Sequence, residues 1–414
     1  MQQDQLLPHL YRTEYRKIIA VLARLFGFEH IQIAEDIASD TFLLASETWA
    51  QNKLPDNPAA WLYTVAKNKA KDYLKHNAIF NEKVAIHIKN ESPEAEEVEV
   101  DLSEKNINDS QLQMMFAICQ PIIPVEAQIG LALRILCGFG IDEIADAFLS
   151  NKETINKRLF RAKEKLREQN VKIEFPDKAE INKRLETVLL TLYLLFNEGY
   201  YSSSGNTNLR KDLCLEAMRL NYLLIENTAT DLPAVNALFS LMCFHASRFD
   251  ARIDKDGEII LYDEQDSSLW NDELISRGTH YLICAAKGTQ LSRYHLEAAI
   301  AFWHTQKQDS VEKWDNVLQL YNKLLILEYS SMAALNRTFA LAKAKGKAEA
   351  IIEAEKLTQL ADSHLYHNLL GYLYTGLHKE KALQHLKTAL KLAKTLPEKN
   401  RINKNIKELT ITVS

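Results

Sequence analysis

Residues 141–167 read IDEIADAFLSNKETINKRLFRAKEKLR. The stretch predicts a short helix, a tight turn and a longer basic helix. Ile144, Ala145 and Phe148 form an apolar stripe on the first helix, and Ser150-Asn151 is a turn pair. On the second helix Ile155, Leu159, Ala162 and Leu166 recur at i, i+4, i+7 and i+11, so one face must be buried. The opposite face carries Lys157, Arg158, Arg161 and Lys165. A helix anchored on one side and basic on the other is what a helix-turn-helix offers to the major groove.

The rest of the composition frames that reading. Over 414 residues, Gly (12) and Pro (9) are scarce, and 47% of the chain is hydrophobic. Long runs of Ala, Leu, Lys and Glu predict an all-α protein of several domains. The formal net charge of −5 argues against a protein that coats nucleic acid indiscriminately. Residues 150–172 nevertheless hold eight Lys/Arg against three Glu, a local charge of +5. Positive charge is concentrated where the helix-turn-helix lies.

The five cysteines (119, 137, 214, 243 and 284) are scattered, with no C-x-x-C, and predict buried thiols rather than disulfides or zinc ligands. The first residues lack the charged-then-apolar order of a signal peptide, and no apolar run is long enough to span a bilayer. No membrane association and a cytoplasmic location are expected.

Four segments emerge. Residues 1–78 are helix-rich around an Asp56-Asn57-Pro58 break. Residues 79–108 become acidic around Pro93 and predict a flexible linker. Residues 109–172 hold the helix-turn-helix. Residues 177–410 form a larger helical body. Within it 314–327, 331–344, 348–360, 365–374 and 379–392 predict consecutive antiparallel helices. The run Asn368-Leu369-Leu370-Gly371-x-x-Tyr374, followed by Ala382, Leu386 and Ala389, resembles a tetratricopeptide unit, where small residues permit close helix packing. A hairpin or turn is expected around Asp256-Gly257.

Two N-terminal helices carry complementary chemistry. On 33–48, Ile33, Ile37 and Leu44 predict a core stripe, while Asp36, Asp40 and Glu47 line another face with Leu43 between them. Such a face suits a basic protein partner; a plain solvated face is the alternative. On 59–76, Leu62, Val65, Ala66 and Tyr73 face inward. Thr64, Asn68, Lys71 and Lys75 point outward beside Lys67 and Lys69, with Trp61 and Tyr63 at the start. Lysines find phosphates, and an unstacked base finds a π face or an amide edge. Alternatively Trp61 is core and the lysines are only solvated.

In this order the pieces resemble a known family. AEDIASDTF (34–42), PAAWLYTVAKNKAKDYL (58–74) and the helix-turn-helix are similar to regions 2 and 4 of extracytoplasmic-function bacterial sigma factors. The likeness continues through RLETVLLTLYLLFNEGYYSSSG (184–205), Leu241-Met242 with Arg248 and Arg252, Asp263–Asp266 with Trp270, Tyr294–Ala301 and Leu335-Asn336-Arg337. These look like the subgroup with a long tetratricopeptide-like extension. In FAICQP (116–121), Ile118 and Gln120 stand where a Cys and a His are expected, and Ser268 stands where an arginine is common.

The resemblance implies that Asp36, Asp40, Phe42, Leu43 and Glu47 hold core RNA polymerase, through its β′ and β subunits. It implies that Trp61, Lys67, Asn68, Lys69, Lys71, Asp72 and Lys75 engage the −10 element of promoter DNA. Lys152, Thr154, Asn156, Lys157, Arg158, Arg161 and Lys165 would read the −35 element. The extension would contact both promoter-reading domains within the chain and regulate them.

An enzyme is the competing class. Asn197–Gly205 could hold a small ligand, or Gly199 could simply cap a helix. The chain has no phosphate-cradling G-x-x-x-x-G-K-[ST] and no H-E-x-x-H. Asp254-x-Asp256-Gly257 lacks the remaining ligands of a calcium loop, and the histidines are scattered. No catalysis, cofactor or metal is expected. A free-standing helix-turn-helix regulator with a ligand-binding repeat domain is the other alternative; it needs neither the acidic face nor the lysine-rich helix.

Overall fold

The computed structural model describes residues 3–51, 54–85, 100–201, 207–252, 260 and 262–411. Every regular element among these residues is helical, with no strand. The chain divides into two compact units, Met1–Thr230 and Asp231–Ser414.

The first unit contains α1 (Gln3–Phe26), α2 (Ile31–Gln51), α3 (Pro58–Ala85), α4 (Glu104–Ile118), α5 (Val125–Leu131), α6 (Ile141–Ala147), α7 (Lys152–Glu168), α8 (Ile181–Tyr201) and α9 (Thr207–Glu226). A π-helical segment, Ala132–Leu136, continues α5. α1 is the central pillar. From Glu14 to Ala23 every residue except Lys17 is buried, because α1 is packed against α2, α3, α4 and the π-helical segment. Helices α8 and α9 pair with each other and lie against α4, α5 and α6. The boundary expected near 176 therefore falls later in space, since the first two helices after Pro176 belong to the first unit.

The sequence pattern is obeyed on α7. Its buried residues are Ile155, Leu159, Ala162 and Leu166. Leu159 fills the space over Gly130, where an added Cβ would stand 2.9 Å from its Cδ2. On α2 the expected stripe is rotated. Ile37 is buried, but Leu44 is 38% exposed, and the inward residues are Ile31, Ala34, Ala38, Thr41, Phe42, Ala45 and Trp49. Helix α8 runs through Gly199 to Tyr201, so Gly199 is not a helix cap. Four cysteines are buried and Cys284 is half-buried. Burial pushes the Cys119 and Cys243 thiols up to about 12, which keeps them protonated.

The second unit contains α10 (Pro233–Ala246), α11 (Phe249–Arg252), α12 (Asp272–Ala285), α13 (Arg293–Thr305), α14 (Val311–Leu327), α15 (Ser331–Lys345), α16 (Lys347–Glu355), α17 (His364–Tyr374), α18 (Lys379–Leu392) and α19 (Leu396–Ile411). Helix α10 is buried from Val235 to Phe244 between α12 and α13. From α14 onward each helix packs chiefly on its neighbours in sequence. Leu370, Gly371, Tyr374, Ala382, Leu386 and Ala389 are all buried. A Cβ on Gly371 would meet Leu386 at 2.7 Å, so the small residue sets how closely α17 and α18 approach. The turn expected at Asp256-Gly257 and most of the acidic linker lie outside the described residues.

Two half-buried histidines border this core. His304 is pushed down to about 3 by burial and then by Arg248 and Lys313. His245 lies well below the ordinary imidazole range, by burial and then by Arg248 and Arg252. A depressed imidazole favours the native state above its unfolded value near 6.5, and that contribution is lost as the pH falls towards 3. Between pH 7.5 and 5.0 we expect His304 to remove about 2 kcal/mol from the second unit's stability. Urea unfolding at the two pH values measures this, and His304→Gln should flatten the dependence. Equal acid sensitivity in wild type and variant would refute it.

Candidate nucleic-acid and polymerase interfaces

The helix-turn-helix is built by local caps. Glu143 Oε2 accepts from the Gly140 backbone N–H at 2.8 Å at the start of α6. The turn places Leu149 at φ 47°. Asn151 Oδ1 then accepts from the Thr154 N–H at 2.8 Å and starts α7. With its apolar face buried, α7 leaves Lys152, Thr154, Asn156, Lys157, Arg161 and Lys165 exposed. Arg158 is half-buried, with its guanidinium 5.4 Å from the Phe148 ring centroid, so it also braces the turn. Lys157 pairs with Glu153 and Lys152 with Asp142, both at 2.6 Å, across exposed surface. Phe160 is 64% exposed on the same helix. The sequence reading passed over it, although its position one residue beyond Leu159 places it off the buried stripe.

Helix α2 presents Asp36, Asp40 and Glu47 to solvent. Leu43 between them is 58% exposed, an apolar centre with an acidic border. Phe42 does not belong to that surface. It is 5% exposed and packs edge-on against Tyr11 and Tyr15 at 5.1 and 6.1 Å. Its expected role in polymerase contact is corrected to one in the core, because α2 turns that position towards α1.

On α3, Asn68, Asp72 and Lys75 are exposed, and Trp61, Lys67, Lys69 and Lys71 are half-buried. Trp61 leans edge-on against the buried Trp49 at 5.4 Å, so it serves the core with one part of its ring. Lys69 Nζ lies 3.3 Å from Asp40 Oδ2, which joins the basic helix to the acidic one. Tyr63 donates to the carboxylate of Glu14.

The structure adds a third set of residues that no periodicity announces. Lys163, from α7, reaches the buried Glu35 of α2 at 2.6 Å. Arg12 of α1 is ion-paired to both Glu143 of α6 and Asp212 of α9. Arg16 pairs with Glu216 at 2.5 Å. Arg219 of α9 donates to the Leu136 carbonyl at 2.6 Å and to Gln111 Oε1 at 3.0 Å. Arg184 of α8 donates to the Phe116 carbonyl at 2.8 Å, and Thr191 to Gln128 Oε1 at 2.8 Å. The helix carrying the acidic face, the helix-turn-helix and α8–α9 are thus stitched into one body.

Among the described residues, no group of three His, Cys, Asp or Glu side chains is placed to hold a metal. No helix among them is long and apolar enough to cross a membrane.

Two stretches of the chain match known families. Residues 10–78 match the sigma-70 region 2 family. Residues 184–286 match a family of unknown function (DUF6596). Over 360 residues the chain is 30% identical to the uncharacterized protein R00370 of Rhizobium meliloti (strain 1021). That alignment covers 86% of this chain and 84% of the relative. No solved structure matches.

The Lys163–Glu35 pair tests the stitching. Their side chains are 19% and 8% exposed, unlike an ordinary surface pair. Removing the ammonium leaves a buried carboxylate alone, so Lys163→Met should cost about 2–4 kcal/mol. A double-mutant cycle with Glu35→Leu, read by urea unfolding, should give a coupling well above the roughly 0.5 kcal/mol of an exposed pair. Additive effects would place the two helices apart in solution.

Proposed function

We propose, for a chain that belongs to the sigma-70 family and shares a family along most of its length with the rhizobial relative, that it is an alternative sigma factor of the extracytoplasmic-function type. It directs core RNA polymerase to promoters and carries its own regulator as a C-terminal extension. The observation that carries this reading is the pair of opposite faces on one unit. An acid-bordered leucine stands out on α2, and a basic face stands out on α7 whose other side is fully buried.

In this reading Asp36, Asp40, Leu43 and Glu47 dock on the β′ subunit. Asn68, Lys69, Lys71, Asp72 and Lys75, with Lys67 and the exposed part of Trp61, engage the opened −10 element. On α7, Arg161 carries base discrimination. Lys152, Lys157 and Lys165 set position on phosphates. Thr154, Asn156 and the half-buried Arg158 complete the −35 surface, and the exposed Phe160 suits contact with a thymine methyl.

The packing of the first unit supports a regulatory role for its last helices. The −10 and −35 elements lie about 25 base pairs apart, on the order of 80 Å of duplex. Helices joined by the Lys163–Glu35 pair and by Arg12 cannot serve both at once. The compact unit is a resting arrangement that polymerase must open. Helices α8 and α9 hold it, because Arg12 and Arg16 of α1 end on Asp212 and Glu216 of α9.

Run-off transcription with purified core polymerase tests the assignment; absence of any promoter-specific transcript on a validated promoter rejects it. Arg161→Ala should weaken −35 discrimination by about 1–3 kcal/mol, with a smaller loss for Arg158→Ala. Leu43→Asp should reduce binding to core polymerase without changing helicity. In the same assay, Arg12→Glu sets a negative charge against Glu143 and Asp212 and should raise transcript yield. A lowered yield with intact folding would show that the arrangement assists initiation instead of restraining it.

A further inference from the structure

Positive charge is gathered inside the second unit around one tyrosine. Arg248, just after α10, is 7% exposed, and its guanidinium sits 5.4 Å from the Tyr262 ring centroid. Lys313, in the first turn of α14, is 1% exposed. Its Nζ lies 5.0 Å from the same ring and donates to Tyr262 Oη at 2.7 Å and to the Gln306 carbonyl at 2.9 Å. His304 and Trp270 also border that ring, at 5.0 and 6.2 Å.

Arg248 Nε and Trp270 Nε1 are buried without a hydrogen-bond partner, and so is His304 Nδ1. Among the described residues no carboxylate meets Arg248. Each buried donor left unmade costs about 1–3 kcal/mol, and a buried unpaired charge costs more. Burial, and then nearby cations including Arg248, keep the His245 and His304 imidazoles neutral. Guanidinium, ammonium and indole N–H groups around an aromatic wall are the donor set for an oxyanion.

We propose that this cluster is a binding site for a small ligand bearing a phosphate or carboxylate group. Arg248 is its charged anchor, Trp270 Nε1 and His304 Nδ1 are its neutral donors, and Lys313 holds Tyr262 as its wall. The proposal is independent of promoter recognition, because the site uses no residue of the first unit.

The probe is inorganic phosphate on the full-length chain, read by thermal unfolding and by titration calorimetry at constant ionic strength. A saturable rise in the second unit's melting temperature is expected with phosphate and absent with chloride of the same ionic strength. Arg248→Gln should abolish it, while Arg161→Ala/Lys165→Ala, on the exposed basic helix, should leave it intact. Should Arg248→Gln fail to fold, Trp270→Phe removes a single donor and should weaken phosphate at least threefold. No saturable response in the wild type, or a response lost with Arg161 and Lys165 and kept in the Arg248 or Trp270 variant, overturns the site. A free carboxylate such as acetate or succinate, run in parallel, separates a carboxylate ligand from a phosphorylated one. Saturation by either supports the oxyanion site.

Discussion

The burial of α1 on nearly every side is the constraint from which the first unit follows. Tyr15, Ile18, Ile19, Ala20, Leu22 and Ala23 are fully enclosed, so the helix cannot choose one partner face. It is covered by α2, α3, α4 and the π-helical segment together. The polar residues forced along with it are then bound to find partners. Arg16 finds Glu216, and Glu14 accepts from Lys17 and Tyr63. Desolvation drives this: a buried guanidinium without a carboxylate is expensive, whereas its ion pair is tolerable. The ion pairs set the register of the contact, and the aliphatic pillar supplies its driving force.

Several charged residues on the surface of this unit are engaged with each other, yet weakly. Asp40 meets Lys69, Lys157 meets Glu153, and Lys152 meets Asp142, each pair largely in solvent. Exposed pairs contribute about 0–1 kcal/mol, so exchange for a phosphate or a basic partner face costs little. The buried pairs behave differently. Glu35 with Lys163 and Arg16 with Glu216 are hidden, and separating them strands a charge. One unit thus carries two classes of salt bridge, one that yields to external partners and one that resists opening.

What the sequence made legible depended on periodicity. Ile155, Leu159, Ala162 and Leu166 repeat with the helical period, and all four are buried. Gly371 with Ala382 and Leu386 was legible as close packing, because only a small residue allows that approach. Leu44 and Phe42 were misplaced because α2 is rich in small residues. Ala34, Ala38 and Ala45 line its buried face, so a search for large aliphatics picked the wrong side. Gly199 was read as a stop, yet α8 continues through it, held on both flanks by apolar packing that outweighs glycine's weak helix propensity. Arg12, Arg16, Glu35 and Arg219 were invisible for another reason. Their partners lie 131, 200 and 128 positions away in the cases of Arg12 and Glu35, and no local pattern encodes such a distance.

The same logic separates the two units by the kind of polar group each encloses. In the first unit the buried Arg16 and Glu35 each meet an opposite charge, Glu216 and Lys163. In the second unit Arg248 and Lys313 share a tyrosine ring, and the histidines beside them are kept neutral. Cation–π contact with one ring recovers roughly 2 kcal/mol when desolvated, less than the cost of burying two like charges side by side. Arg248 Nε and Trp270 Nε1, buried beside that ring without a partner, are the donors that the proposed oxyanion would satisfy.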